Sequence, residues 1–249
     1  MLFQLALFAI ALLANTFSAL AGGGAGLIQF PALIFLGLPF PLALATHKIA
    51  SVALGLGATL RHGRDNRLTP GFAAFMLVFG VPGVLLGSRL AVVMPQRAGE
   101  IGLGLLTLGL GFYSLLSPGL GQHFRPRHRG RAGMLVGGLG LFLIGVVNGG
   151  LASGTGLFVT LLLVRWFGFD YQRAVAYTLV MVGLFWNGVG ALALGWMTEV
   201  QWHWLPALLA GSLLGGYLGA HLAIDRGNRL VKRAYEIVTI AVGVSLLVF

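Results

Sequence analysis

The sequence predicts an all-α polytopic membrane protein, and three observations carry that prediction. Only 9% of the 249 residues are charged, against about 25% in a soluble domain. Hydrophobic residues make up 57%, more than a soluble domain of this size can bury. The apolar residues gather in long runs, with the basic residues between them. A soluble enzyme and a disordered chain are excluded on these grounds. The lack of cysteine removes disulfides, thiol catalysis and thiolate metal sites. The net charge of +10 does not point to nucleic acid, because the basic residues sit where the positive-inside rule puts them.

In chain order the apolar runs are 2–20, 25–37, 43–60, 71–93, 101–117, 133–148, 154–167, 172–194, 203–224 and 234–249. A bilayer core of about 30 Å needs roughly 20 helical residues, and most runs reach or approach that length. The exceptions, 25–37 and 154–167, each follow a glycine cluster. The first run ends in Ala19-Leu20-Ala21, which mimics a signal-peptidase site. No Lys or Arg precedes Lys48, however, and the run has a counterpart in the second half. It is therefore expected to be retained.

The chain repeats itself. Residues 22–28, GGGAGLI, align with 152–158, ASGTGLF, and GLPFPLALAT at 37–46 aligns with GFDYQRAVAY at 168–177. Gly83 and Gly87 before SRLA align with Gly215 and Gly219 before AHLA. The expected organisation is a first transmembrane repeat over 1–120, a basic cytoplasmic linker over 121–131 and a second repeat over 132–249. With about five apolar segments per half, an odd number, the two repeats must be inverted relative to each other.

Charge gives an independent argument. If the basic linker is cytoplasmic, the loops on that side hold Arg61, Arg64, Arg67, Arg125, Arg127, Arg129, Arg131, Arg165, Arg173, Arg226, Arg229, Lys232 and Arg233. Only Arg89, Arg97 and Lys48 fall elsewhere. The matched loops 61–70 and 195–202 differ most: the first carries three arginines, the second Glu199 and no Lys or Arg. Equivalent loops then face opposite sides, and both termini lie outside.

The segment GGGAGLIQFPALIFLGLPFPLALATHKIAS at 22–51 resembles the TauE/SafE family of sulfite exporters and related anion permeases. The second break, NGGLASGTG at 148–156, and LGGYLGAHLA at 214–223 fit the same family. The resemblance spans nearly the whole chain. It implies a bacterial inner-membrane protein that transports a small sulfur oxyanion or organosulfonate, such as sulfite, thiosulfate or sulfoacetate. Some members carry a Lys after the Ala-Thr step in both halves; here Lys48 fills the first position and Leu179 the second.

The residues themselves lead to a site at the breaks. Irregular backbone survives inside a membrane only within protein or beside a water-filled cavity. Gly22, Gly23, Gly24 and Gly26 form one expected break, and Gly149, Gly150, Gly154 and Gly156 its mate. A short helix after each would present unpaired N–H groups and a positive dipole end, which suit an anion. The alternative is close helix packing, the expected role of Gly83, Gly87, Gly211, Gly215 and Gly219. The polar side chains expected at a substrate site are Gln29, Thr46, His47, Lys48, Asn148, Ser153, Thr155, Tyr177 and Asn187. Lys48 lies within an apolar run, so it either serves the site or snorkels to the outer surface. His47 is a core hydrogen-bonder or a proton carrier, and Asn148, Ser153 and Thr155 bridge helices or contact ligand.

Asp65, Glu100, Asp170, Glu199 and Asp225 fall in loops or helix ends, and Glu236 should pair with Lys232 and Arg233 at the inner surface. With no carboxylate near the centre and a lysine present, an anion is favoured over a cation. Ser153 has no positioned base, no Walker motif exists, and the histidines lack metal-ligand spacing. The sequence therefore points to no enzyme activity, no cofactor and no metal. It predicts a secondary transporter with a small anionic substrate and a lipid bilayer as its partners, and no nucleic acid. Oligomeric state stays open. A passive anion channel and a non-transporting membrane assembly subunit are the alternatives.

The inversion is directly testable. Single cysteines placed at Asn66 and Thr198 should react with a membrane-impermeant reagent from opposite faces. Reaction from one face only would rule out inverted repeats.

Overall fold

The structure, a computed structural model, describes residues 2–62, 68–90, 96–151 and 154–248. Among these residues every regular element is helical. Helix α1 (Leu2–Ala21) is followed by a 3-10 turn (Ala25–Leu27) and short α2 (Gln29–Phe35). Then come α3 (Phe40–His62), α4 (Pro70–Leu90) and α5 (Gln96–Leu115). The second half opens with α6 (Arg131–Gly150) and short α7 (Thr155–Arg165). Next, α8 (Tyr171–Tyr177), a π-helical stretch (Thr178–Trp186) and α9 (Asn187–Gly195) form one continuous rod. Helix α10 (Leu205–Val248) closes the chain. Six of the described helical rods are long and apolar enough to cross a membrane. Large apolar side chains such as Phe35 (82% exposed) and Trp196 (90%) face outward, as a lipid environment permits.

The final segment differs from expectation. In place of two runs joined by a basic loop, residues 205–248 are helical throughout except at Gly227, where φ is 79° and ψ 179°. At 1.5 Å per residue, a helix of 44 residues measures about 66 Å, twice a bilayer core. The Gly227 break divides it into two spanning lengths. Residues 228–236 include Arg, Leu, Lys, Ala and Glu, good helix formers, so the charge cluster does not end the helix. Lys232 and Glu236 pair one turn apart, as expected, but both are buried. Lys232 also donates to the Ser114 carbonyl at 2.7 Å, and Ser114 Oγ donates to Glu236 at 3.0 Å. The pair therefore ties α10 to α5 from inside.

The two halves meet through glycines, in a reciprocal pattern. A Cβ on Gly215 of α10 would stand 2.6 Å from the Leu12 carbonyl oxygen of α1. One on Gly87 of α4 would stand 1.9 Å from the Val146 carbonyl oxygen of α6. Real Cβ atoms do not come that close, so glycine permits these backbones to touch. Within each half, then, the first segment packs on the fourth of the other. Gly55 of α3 lies against Gly183 and Leu184 of the π-helical stretch, joining third to third. Gly111 of α5 faces Ile240 of α10, joining fifth to fifth.

Candidate functional site

Helix α1 ends because three consecutive residues, Gly22, Gly23 and Gly24, take φ values of 82°, 145° and 102°. L side chains rarely tolerate such backbone. The amides of Gly22 and Gly23 both donate to the Ser18 carbonyl at 2.8 Å, which satisfies the helix end. In the second half α6 stops at Gly150, and Gly154 (φ 73°) starts α7 in the left-handed conformation. Ala152 and Ser153 lie outside the described residues, so the expected role of Ser153 has no structural counterpart here.

The two breaks touch. A Cβ on Gly23 would stand 2.7 Å from the Cα and carbonyl carbon of Gly156, and one on Gly156 2.9 Å from the Gly23 Cα. Thr160, one turn into α7, donates its hydroxyl to the Gly22 carbonyl at 2.9 Å. Its oxygen also lies 2.9 Å from the Thr178 hydroxyl. A break from each half is thus fixed against the other in the protein interior.

Between them is a cavity of about 40 Å³. On the scale where one water needs about 10–15 Å³, it holds a few waters or one small polyatomic ion. Gly23, Gly24, Ala25 and Gly26 form one wall, and Gly154, Thr155 and Gly156 the opposite one. The starts of both short helical segments, 25–35 and 155–165, therefore border it. First-turn amides have no partner within their own helix. The side-chain wall includes His47 and Ser51 from α3, with Asn148, Thr178 and Asn187 from the second half. His47 Nε2 is 3.2 Å from Ser51 Oγ. Asn148 Nδ2 donates to Thr155 Oγ1 at 2.8 Å. Ser18 also lines the cavity, buried, and its hydroxyl has no partner among the described residues.

Lys48 stands one layer behind this wall. It does not snorkel: it is 2% exposed, and its ammonium reaches the Asn148 carbonyl at 2.5 Å. Asn148 Oδ1 at 3.1 Å and Asn187 Oδ1 at 3.4 Å complete its acceptors. A cation on a carbonyl near the C-terminus of α6 is favourably placed against that helix dipole. All three acceptors are neutral, so no carboxylate compensates the charge among the described residues. Lys48 therefore joins α3 to α6 and α9, one layer from the cavity.

The other expected site residues divide. Gly23, Gly24, His47, Asn148, Gly154, Thr155 and Asn187 converge on the cavity, and Gly22 is adjacent through Thr160. Gln29 does not join them. Its Oε1 accepts from Asn15 Nδ2 at 2.8 Å, and Asn15 also donates to Ser212 Oγ at 2.9 Å, a network between α1 and α10. Thr46 accepts from the Gln201 amide at 3.0 Å. Tyr177 accepts from the Thr69 amide at 2.6 Å and packs on Phe72 and Phe169. Thr46 and Tyr177, matched by the repeat, thus each fasten a loop end of the other half. Ser18 and Thr160 were not singled out by sequence. Each lies one helical turn from a break glycine, Gly22 and Gly156, and that spacing is the signal available.

Residues 7–246 match the family model described as sulfite exporter TauE/SafE. The chain is 31% identical over 227 residues to a probable membrane transporter protein of Haemophilus influenzae, covering 91% of this chain and 87% of that one. It is 30% identical over 245 residues to the probable membrane transporter protein ORF9 of Sinorhizobium, covering 97% and 91%. For the probable membrane transporter protein YfcA of Escherichia coli K12 the identity is 28% over 243 residues, covering 97% and 88%. No solved structure matches the chain.

The contact between breaks has a measurable consequence. Gly156→Ala must separate them, and overpacking of this kind costs about 1–3 kcal/mol. Its thermal unfolding midpoint in detergent should fall clearly below wild type. Gly109→Ala, whose Cβ would meet nothing within 4 Å, should leave the midpoint unchanged. Equal midpoints for both variants would show that the breaks do not bear on each other.

Proposed function

The chain belongs to the TauE/SafE sulfite exporter family, and from that premise we propose that it is a secondary transporter exporting sulfite or a related small sulfur oxyanion or organosulfonate. It is a multi-pass membrane transporter of the bacterial inner membrane. The observation that carries the anion reading is the buried, uncompensated ammonium of Lys48 behind a small polar cavity walled by two helix starts. An anion there gains from the N-terminal dipole of α7, equivalent to about half a charge, and from the turn at Gly23–Gly26 facing it. The cavity volume favours a few-atom oxyanion.

The domain reading is a first repeat over 1–120, a cytoplasmic linker over 121–131 and an inverted second repeat over 132–249. The reciprocal glycine contacts support it, because first-on-fourth and third-on-third packing is what a two-fold relation generates. Alternating access would then rock the halves about the touching breaks, where the anion sits. The chemistry of the cavity is that of binding rather than bond-making.

Reconstituted into liposomes, the protein should catalyse sulfite flux and counterflow above protein-free vesicles. Counterflow separates a carrier from a channel, and absent flux would refute the substrate. Lys48→Met should lower the apparent sulfite affinity by about tenfold or more, since 1.4 kcal/mol already gives that factor. Lys48→Arg should do less harm. Binding on monodisperse detergent-purified variants distinguishes lost affinity from lost folding, and unchanged affinity in Lys48→Met would remove Lys48 from the site.

A further inference from the structure

The linker between the halves follows a fixed path. The amides of Arg125 and Arg127 donate to the carbonyls of Gly168 and Phe167 at 2.8 and 3.1 Å, and Tyr171 N donates to Gly121 O at 2.8 Å. His128 stacks on Trp166 with ring centroids 4.1 Å apart. This path sorts the arginines. Arg129 lies over the rings of Phe72 and Phe169, at 4.6 and 4.8 Å, and Arg173 over Phe124 at 3.9 Å. Arg125, Arg127 and Arg165 instead line a cavity of about 450 Å³, together with His123, Tyr113 and Ser117.

Among the described residues that cavity has no carboxylate in its wall. Asp170, next to its Phe169, caps α8 at Arg173 N and pairs with the Arg173 side chain. An adjoining cavity shares His123 and adds Arg229 and Arg233, and its Glu236 is taken by Lys232. Arg125, Arg127 and Arg165 therefore border one opening that has no carboxylate among the described residues. The positive-inside rule accounts for basic residues in such a loop but not for their convergence on a cavity. Position narrows the ligand. The linker joins the end of α5 to the start of α6, at the level where spans leave the bilayer. At the adjacent end of α5 Phe112 (54% exposed) faces outward, as does Leu116 (84%) in the turn just after it, with the Tyr113 hydroxyl accepting from Arg165 Nε at 2.7 Å. A polar boundary above an apolar face suits a molecule with an anionic head and a hydrocarbon tail.

We propose that the cavity formed by Arg125, Arg127 and Arg165 binds the phosphate headgroup of an anionic phospholipid, whose acyl chain lies along the exposed end of α5. Basic pockets beside transmembrane helices recognise such headgroups, at about 1 kcal/mol per Lys or Arg, or roughly fivefold in affinity. This site is separate from the glycine-walled cavity and does not rest on the transported substrate.

The test is titration of delipidated protein in uncharged detergent with phosphatidylglycerol, phosphatidylcholine or inorganic phosphate, following the thermal unfolding midpoint. Phosphatidylglycerol should raise the midpoint saturably, while phosphatidylcholine and inorganic phosphate at equal concentration should not. Arg125→Gln, Arg127→Gln and Arg165→Gln should each weaken the phosphatidylglycerol effect about fivefold, and Arg127→Lys should retain most of it. Arg131→Gln removes the same charge from the same linker outside the cavity and should leave it unchanged. A loss in Arg131→Gln equal to that in Arg125→Gln would reduce the effect to general surface charge and overturn the site. Equal shifts with inorganic phosphate would replace the lipid by a free anion, and no preference over phosphatidylcholine would end the proposal.

Discussion

Direct contact of backbone with backbone at the junction of the two halves is the constraint on which the rest of this structure depends. Inside a bilayer, helices gain nothing from leaving lipid for one another through the hydrophobic effect, so close approach and internal hydrogen bonds must hold them. Gly87 of α4 against α6, Gly215 of α10 against α1 and Gly55 of α3 against the π-helical stretch allow that approach at three separate places. At the centre Gly23 and Gly156 extend it to non-helical chain. Their contact brings two short helical segments to one small cavity, and Thr160 fastens one break to the other beside it.

Lys48 adds charge to an arrangement otherwise built from dipoles. An isolated ammonium is costly in the membrane interior. Here the cost is offset by three oxygen acceptors, including a carbonyl at the end of α6. Because these acceptors are neutral, no carboxylate among the described residues offsets an ammonium there. The same lysine crosses from α3 to α6 and α9, so it also couples the two halves of the chain.

The sequence shows the breaks plainly because left-handed backbone and close approach can be met only by glycine, and the repeat displays them twice. Lys48 is legible for a similar reason, as a lone charge in an apolar run. Its main partner is not, because the Asn148 carbonyl is a backbone atom with no signature of its own. Gln29 and Tyr177 lie near the breaks in sequence yet point elsewhere. Helix α2 turns Gln29 towards Asn15, and Tyr177 precedes Thr178, the residue that faces the cavity. Adjacent helical positions face different directions, and which one faces inward depends on packing that periodicity does not display. The helical course through the basic segment after Gly227 was hidden by reading charge as loop, although its residue types favour helix.

Transport as proposed requires a single anion held between the two breaks. An experimental structure of the protein soaked with selenite, an anomalously scattering analogue of sulfite, tests that directly. One saturable selenium peak is expected between the Gly24 and Gly154 walls, within hydrogen-bonding reach of both, and absent when excess sulfite competes. Selenium found only on the linker arginines, or nowhere within the glycine-walled cavity, would contradict it.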